Sequence, residues 1–146
     1  MILNQDFVEF IELLNDHKAL YLVVGGYAVA FHGHPRYTKD IDIWIYLDEK
    51  NAEKVLEVLQ EFGFASLELS IEDFSDPEQI IQLGRPPNRI NLMMDLEGVD
   101  FKECYAAKVE VDIDGMKANF LDLENLKRNK EATGRHQDLA DPENLK

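Results

Sequence analysis

The sequence predicts a mixed α/β (α+β) fold, and three observations support that prediction. The chain has 146 residues, enough for one hydrophobic core and too few for two ordinary domains. Segments with helical spacing of apolar residues alternate with short apolar runs rich in strand-forming residues. Neither internal repeats nor low-complexity linkers divide the sequence. We therefore expect a single domain over 1–146, with helices flanking a small mixed β-sheet.

The first two predicted elements are a helix and a buried strand. In "DFVEFIELLNDHK" the apolar residues recur at helical spacing, and Asn4 or Asp6 precedes them as a cap. The following "LYLVVGG" is a short apolar run that ends in glycine, which is typical of a buried strand.

A second helix, a second strand and a third helix follow. The segment "YAVAFHG" predicts a short helix closed by its final glycine. Alternating acidic and apolar residues in "DIDIWIYL" predict a strand. The clearest helix is "DEKNAEKVLEVLQEFGF", which Asp48 caps and Gly63 ends.

The second half predicts two hairpins separated by a helix. "EQIIQLGRPPNRINLMMDL" reads as two strands joined at the Gly84–Asn88 turn, where two prolines forbid helix. "VDFKECYAA" predicts a short helix, and "KVEVDIDGMKANF" predicts a hairpin that turns at Asp114-Gly115.

The C-terminal region, from about residue 122, predicts helices. Asp122 caps "DLENLKRNKEATG", and Gly134 is the expected end of that helix. A last polar helix is expected to start near Asp141-Pro142, because proline is favoured at a first helical position.

Composition and net charge limit the classes of function and partner that this chain could have. The formal net charge of −14 repels phosphate backbones, so we expect no long duplex nucleic acid as a partner. A local basic pocket could still hold one nucleotide. We find no apolar run that would span a membrane and no secretory signal, and the only cysteine, Cys104, excludes an internal disulfide. These features predict a cytoplasmic protein.

Two carboxylates lie inside the most apolar segment. Asp40 and Asp42 are two residues apart on a predicted strand, so they share a face and lie roughly 6.6 Å apart along it. Such carboxylates repel each other unless a cation lies between them, and Mg²⁺ prefers ligands of this kind. The alternative is a solvated edge strand.

Glycines and basic residues precede these carboxylates. Gly25 and Gly26 lie where a strand meets a helix, and such a junction offers backbone N–H groups to an anion. Arg36 and Lys39 could add charged contacts to phosphate. The alternatives are a tight turn for the glycines and charge balance for the cations.

The pattern resembles a known superfamily. "GG" at 25–26, a gap over 27–39 and then "DID" is similar to the signature of the DNA polymerase β-like nucleotidyltransferases. The fuller string looks like small bacterial and archaeal nucleotidyltransferases related to toxins of abortive-infection and toxin–antitoxin systems. The likeness continues in "PNRINLMMDLEGVDF" and "NKEATGRHQDLAD".

The resemblance implies a nucleotidyltransferase fold and a metal-dependent reaction. A nucleoside monophosphate would pass from an NTP, with ATP the expected donor, to an acceptor, and pyrophosphate would leave. Asp40 and Asp42 would hold Mg²⁺ or Mn²⁺, and Gly25 and Gly26 would cradle phosphates. Of the basic residues around the penultimate helix, Lys130 and Arg135 would face the nucleotide. The alternative for them is an ordinary solvated helix face, where cations near the C-terminus are favourable.

The sequence departs from the family pattern at its third acid. The resemblance places that acid on the strand "RINL", where this chain has Asn91. Asparagine is neutral, so it cannot act as a base. Asp95 is four residues further on, ~13 Å along the strand, and cannot take its place without a bulge.

Two functions from different classes follow. The first is an enzyme whose acceptor is a small molecule, a protein hydroxyl or an RNA end. The alternative is a degenerate module of the same fold that binds a nucleotide or a cognate partner protein without turnover, which Asn91 favours. The "DID" would also suit a glycosyltransferase, but the chain is shorter than the usual nucleotide-sugar domain.

Overall fold

The computed structural model describes residues 4–33, 39–63, 68–85 and 88–136. The strands are β1 (Tyr21–Val24), β2 (Ile41–Ile45), β3 (Ile80–Arg85), β4 (Asn88–Met93), β5 (Val109–Ile113) and β6 (Met116–Phe120). The helices are α1 (Gln5–Asp16), α2 (Gly25–Phe31), α3 (Glu49–Phe62), α4 (Phe101–Ala106) and α5 (Leu123–His136).

The strands form one mixed six-stranded sheet in the order β3-β4-β2-β1-β6-β5. At its centre β1 is antiparallel to β2 and parallel to β6, and β2 is parallel to β4. The antiparallel hairpins β3–β4 and β5–β6 form its two edges. The predicted mixed sheet with flanking helices is therefore confirmed.

Several predicted helix boundaries are confirmed by the local geometry. Asn4 caps α1, because its Oδ1 accepts a hydrogen bond of 2.8 Å from the backbone N–H of Asp6. Asp48 caps α3, and Gly63 ends that helix in the left-handed conformation at φ +100°. The hairpin turn at Asp114-Gly115 has positive φ at both residues, which is the conformation that favours this pair.

Other boundaries differ from the prediction. Helix α2 begins at Gly25, so both glycines belong to the helix and not to the preceding strand. Helix α5 continues past Gly134 to His136, although glycine is a weak helix former. A short 3-10 helix over Ile71–Phe74 was not predicted; it buries Phe74 at 2 % exposure. The helix expected near Asp141-Pro142 lies outside the described residues.

One continuous hydrophobic core joins the sheet to the helices. Helix α1 packs against α3 and β6, and α2 packs against β1 and β2. Tyr21 is fully buried at the centre, and Trp44 contacts Phe101 edge to face with ring centroids 5.0 Å apart. In the described part of the chain, no helix is both long enough and apolar enough to cross a membrane.

Candidate active site

The end of β1 brings a glycine against a carboxylate. Val24 pairs with Asp42 across the antiparallel β1–β2 ladder, and Gly25 follows directly with φ +65°. A Cβ on Gly25 would overlap Oδ2 of Asp42. Glycine is therefore required here for its conformation and for the space it leaves to the carboxylate.

Asp42 lies inside β2, whereas Asp40 directly precedes the strand. The parallel register of β2 and β4 places Asp42 opposite Asn91, whose Nδ2 donates a hydrogen bond of 3.0 Å to Oδ1 of Asp42. A carboxylate only accepts hydrogen bonds when ionised, so this contact orients the asparagine amide.

The Asp42 carboxyl group is poorly solvated. Burial raises its pKa above the ordinary value, and the negative charge of Asp40 raises it further. The hydrogen bond from Asn91 and the charge of Lys130 act in the opposite direction. The site therefore carries a negative charge for which the fold provides only partial compensation.

The orientation of Asn91 leaves its carbonyl oxygen unpaired. Among the described residues, Oδ1 of Asn91 is one of two buried side-chain polar atoms without a hydrogen-bond partner. An unpaired buried acceptor is unfavourable unless a ligand contacts it. Asp95 lies beyond the end of β4 and is exposed, so the position opposite Asp42 belongs to Asn91.

Helix α5 brings a cation toward the carboxylates. Lys130 is half-buried and its charge lowers the pKa of Asp42, whereas Lys127 is exposed. Lys39 is exposed next to Asp40. Arg36 and the side chain of Arg135 lie outside the described residues, although the backbone of Arg135 belongs to α5.

The loop after β4 docks closely on α5. A Cβ on Gly98 would lie 2.5 Å from Cβ of Ala132 and 3.2 Å from the carbonyl oxygen of Arg128. Next to it, Nδ2 of Asn129 donates a hydrogen bond of 2.9 Å to the carbonyl oxygen of Glu97. These contacts attach α5, and with it Lys130, to the strand that carries Asn91.

Arg89 is a site residue that the sequence did not single out. Its backbone N–H donates a hydrogen bond of 3.1 Å to Oδ1 of Asp40, and its Nε lies 3.8 Å from Oδ2 of the same carboxylate. The sequence did contain a signal that Arg89 belongs to the site. Arg89 precedes Asn91 by two residues and therefore shares its face of the strand.

The donor set fits a hard divalent cation. Asp42 and Asp40 offer carboxylate oxygens and Asn91 offers a buried amide oxygen, which are ligands suited to Mg²⁺ or Mn²⁺. No group of three or more His, Cys, Asp or Glu side chains in the described ranges is placed to hold a metal ion by itself. Any cation here would thus keep positions for water or for a ligand's own oxygens.

A separate cavity is unsuited to a nucleotide. It has a volume of about 610 Å³ and lies beside α1 and the end of α3, where carboxylates line it: Asp6, Glu9, Glu12, Asp16 and Glu61. These carboxylates would repel a triphosphate. We therefore place the candidate active site at the Gly25–Asp42–Asn91 cluster.

A family model matches just over half of the chain. The sequence model of the family described as aminoglycoside-2''-adenylyltransferase matches residues 6–83. The match includes the glycines at 25–26 and both aspartates, and it ends before Asn91. No curated protein sequence matches the chain.

Solved structures show the same fold. A Thermotoga maritima protein described as a nucleotidyltransferase aligns with a TM-score of 0.64 at 21% identity, covering 91% of this chain and 85% of its own. The lincosamide antibiotic adenylyltransferase LnuA, solved with lincomycin bound, aligns at 0.53 and 14% identity, covering 99% and 96%. An antigenic nucleotidyltransferase-like protein from Paracoccidioides brasiliensis aligns at 0.51 and 16% identity, covering 96% and 74%.

Proposed function

Since this chain belongs to the aminoglycoside-2''-adenylyltransferase family, we propose that it transfers a nucleoside monophosphate from an NTP to a hydroxyl group of a small molecule. The donor is expected to be ATP and the cofactor Mg²⁺ or Mn²⁺. The observation that carries the proposal is the cluster of Asp42, Asn91 and Gly25. The region matched by the family, residues 6–83, includes Gly25 and Asp42 and ends before Asn91.

Each residue of the cluster has a role that its chemistry supports. Asp42 and Asp40 would hold the cation with the carbonyl oxygen of Asn91. The bound cation would stabilise charge on the phosphate oxygens and orient the attacking and leaving groups. The amides at Gly25 and Gly26, at the start of α2, would donate to phosphate. Lys130 would add a positive charge from α5.

Asn91 decides how fast such a site can work. Its amide cannot take a proton from an acceptor hydroxyl, and general-base help typically contributes about 10²–10⁴-fold in rate. The proposed enzyme is therefore slow unless the acceptor hydroxyl loses its proton to water or to the acceptor itself. This feature also favours the second candidate, a module of the same fold that binds a nucleotide or a partner protein without turnover.

Family membership favours a small acceptor over a protein hydroxyl or an RNA end. The family name refers to aminoglycosides, and one structural neighbour of the same fold was solved with lincomycin. Aminoglycosides are polycations, and a chain with a formal net charge of −14 attracts them over long range.

The experiment is incubation of the purified protein with each of the four labelled NTPs, Mg²⁺ or Mn²⁺ and a panel of acceptors. The panel contains aminoglycosides, lincosamides and a metabolite extract. We expect a labelled product that disappears with EDTA and with Asp42→Asn. If nucleotide binds in a cation-dependent way but no acceptor is ever labelled, the binding module is correct. If no nucleotide binds at all, the transferase and the nucleotide-binding module both fail, and only a partner-binding module is left.

A further inference from the structure

Strand β4 presents two polar side chains to the two carboxylates. Arg89 and Asn91 are two residues apart, so both face the same side of the sheet. The register pairs Ile41 with Ile90 and Asp42 with Asn91, which leaves Arg89 beside Asp40. The site therefore consists of two neighbouring pairs, Asp40 with Arg89 and Asp42 with Asn91.

Arg89 contacts Asp40 in the place where a cation would be expected. The carboxylate accepts the backbone N–H of Arg89 at 3.1 Å and lies 3.8 Å from its Nε. Both side chains are about one-third exposed, at 35% and 34%. A cation that binds Asp40 would therefore compete with a positive charge that the chain itself supplies.

The two pairs leave complementary atoms unpaired. In the described part of the chain, the buried side-chain atoms without a hydrogen bond are Nε of Arg89, a donor, and Oδ1 of Asn91, an acceptor. The 3.8 Å separation from Asp40 is too long for Nε to form a hydrogen bond there. A ligand that satisfies both brings an acceptor oxygen to Arg89 and a donor or a cation to Asn91. A phosphate with its divalent cation brings both.

Resting on the proposed function, we propose that Arg89 is a phosphate-binding residue that Asp40 holds until a divalent cation replaces it. When the cation occupies Asp40 and Asp42, the guanidinium group of Arg89 is released to the phosphate of the incoming nucleotide. Arginine suits this role because its planar donors match phosphate geometry and it remains charged. Arg89 thus couples cation binding to nucleotide binding.

Removal of the guanidinium has opposite effects on the two ligands. In Arg89→Gln, Mn²⁺ alone meets no competing charge on Asp40. We expect it to bind about two- to fivefold more tightly, in keeping with the modest energy of a partly exposed ion pair. The nucleotide with Mn²⁺ loses a charge-assisted contact and binds about tenfold or more weakly.

The measurement is isothermal titration calorimetry with Mn²⁺ alone and then with a non-hydrolysable ATP analogue in saturating Mn²⁺. The wild type is compared with Arg89→Gln, with Arg89→Lys, and with Arg128→Gln. Arg128 lies on α5, contacts Glu124 and Asn125, and reports the loss of one positive charge elsewhere. Arg89→Lys keeps the positive charge without the planar guanidinium group. Its dissociation constants should therefore fall between those of the wild type and those of Arg89→Gln.

The outcomes separate this inference from the proposed function. The exchange of Arg89 from Asp40 to the phosphate is supported if Arg89→Gln binds Mn²⁺ more tightly and the nucleotide more weakly. Arg128→Gln should show neither change. If Arg89→Gln weakens both ligands equally or changes neither, the exchange is wrong while the proposed function stands. If Arg89→Gln fails to fold, Arg89→Lys provides the test. Affinities equal to those of the wild type would overturn the role of the planar guanidinium group. If the wild type binds neither Mn²⁺ nor nucleotide, the proposed function itself is wrong.

Discussion

Single atoms at this site lower the stability of the fold. Asn91 donates to Asp42 through its amide nitrogen and leaves its carbonyl oxygen buried and unpaired. Burial also raises the pKa of Asp42, so the ionised carboxylate is unfavourable in the folded chain without a cation. Both features cost stability, and the cation of the proposed function would relieve both.

The first prediction is that Asn91→Asp raises transferase activity. The substitution is nearly isosteric and adds a base that can accept the proton of a hydroxyl group. We expect a rate increase of about 10²-fold or more, which is within the usual range for general-base help. The measurement is product formation from labelled ATP at saturating Mg²⁺.

This variant also places a second negative charge beside Asp42. Its melting temperature should therefore fall more than that of the wild type when EDTA is added. Asn91→Ala serves as the control, because it removes the hydrogen bond to Asp42 without adding a base. A vigorous native enzyme that Asn91→Asp leaves unchanged would mean that the proton goes elsewhere.

A second prediction concerns His17, which caps the end of α1 and contacts α3. Its Nδ1 lies 3.1 Å from Oε2 of Glu57, and its Nε2 contacts Glu61. The hydrogen bond with Glu61 is the largest of the effects that raise the pKa of His17 above 6.5. A raised pKa means that protonated His17 stabilises the folded state below its unfolded pKa, and this stabilisation is lost as the pH rises through the folded value.

The test compares the free energy of unfolding of the wild type and His17→Gln at about pH 6 and about pH 9. We expect the wild type to exceed the variant by more at the lower pH. Glu61→Gln is the matched control and should remove most of that pH dependence. An identical difference at both pH values would show that the contact between α1 and α3 does not depend on protonation.

At the level of elements, the docking of α5 on the loop after β4 positions Lys130. Gly98 has φ +83°, and an added Cβ would lie 2.5 Å from Cβ of Ala132. Gly115 in the β5–β6 turn has a similar φ of +87°, yet no atom lies within 4 Å of its added Cβ. The two glycines thus share a left-handed conformation and differ in the space around them.

We predict that Gly98→Ala lowers the free energy of unfolding more than Gly115→Ala does. Each substitution incurs about 1–2 kcal/mol of left-handed strain, and Gly98→Ala adds an overpacking cost of about 1–3 kcal/mol. Urea unfolding measures both variants. Gly98→Ala should also weaken nucleotide binding, because a displaced α5 carries Lys130 away from Asp42. Equal losses of stability would refute the close packing.

Elements whose boundaries are set by neighbouring residues can be predicted from the sequence, and those that depend on distant contacts cannot. Asp48 and Gly63 mark the ends of α3 by short-range capping, and the sequence predicts both. By contrast, α5 continues through Gly134, where helix propensity is poor. Contacts of Asn129 and Ala132 with the loop after β4 hold this helix in place. The contact of Arg89 with Asp40 depends on strand register across 49 residues, which no local pattern contains.

For the whole molecule, a formal net charge of −14 makes cations a general stabiliser. We predict that Mg²⁺ raises the melting temperature of the wild type above the value reached with NaCl of equal ionic strength. At about 100 times its dissociation constant, a ligand of the folded state contributes about 2.7 kcal/mol. For a chain of this size the shift is about 2–4 °C per kcal/mol.

Asp42→Asn is the matched variant, since its side-chain oxygen can still accept from Asn91. Without Mg²⁺ this variant should melt above the wild type, because a buried charge is removed. With Mg²⁺ the order should reverse, because only the wild type gains the specific contribution. A Mg²⁺ shift of the same size in both proteins would mean that the cation acts on the surface charge and not at this site.

The parallel pairing of β2 with β4 also has a consequence for the folding route. Asp42 and Asn91 come together only after the chain between them, including all of α3, has returned to the sheet. Closing such a loop costs entropy before any strand contact offsets it, so distant parallel pairing is slow to form. By contrast, the β3–β4 and β5–β6 hairpins pair residues close in sequence. The nucleation of this protein should therefore lie in its hairpins, and a nascent chain would acquire its cation site among the last of its native contacts.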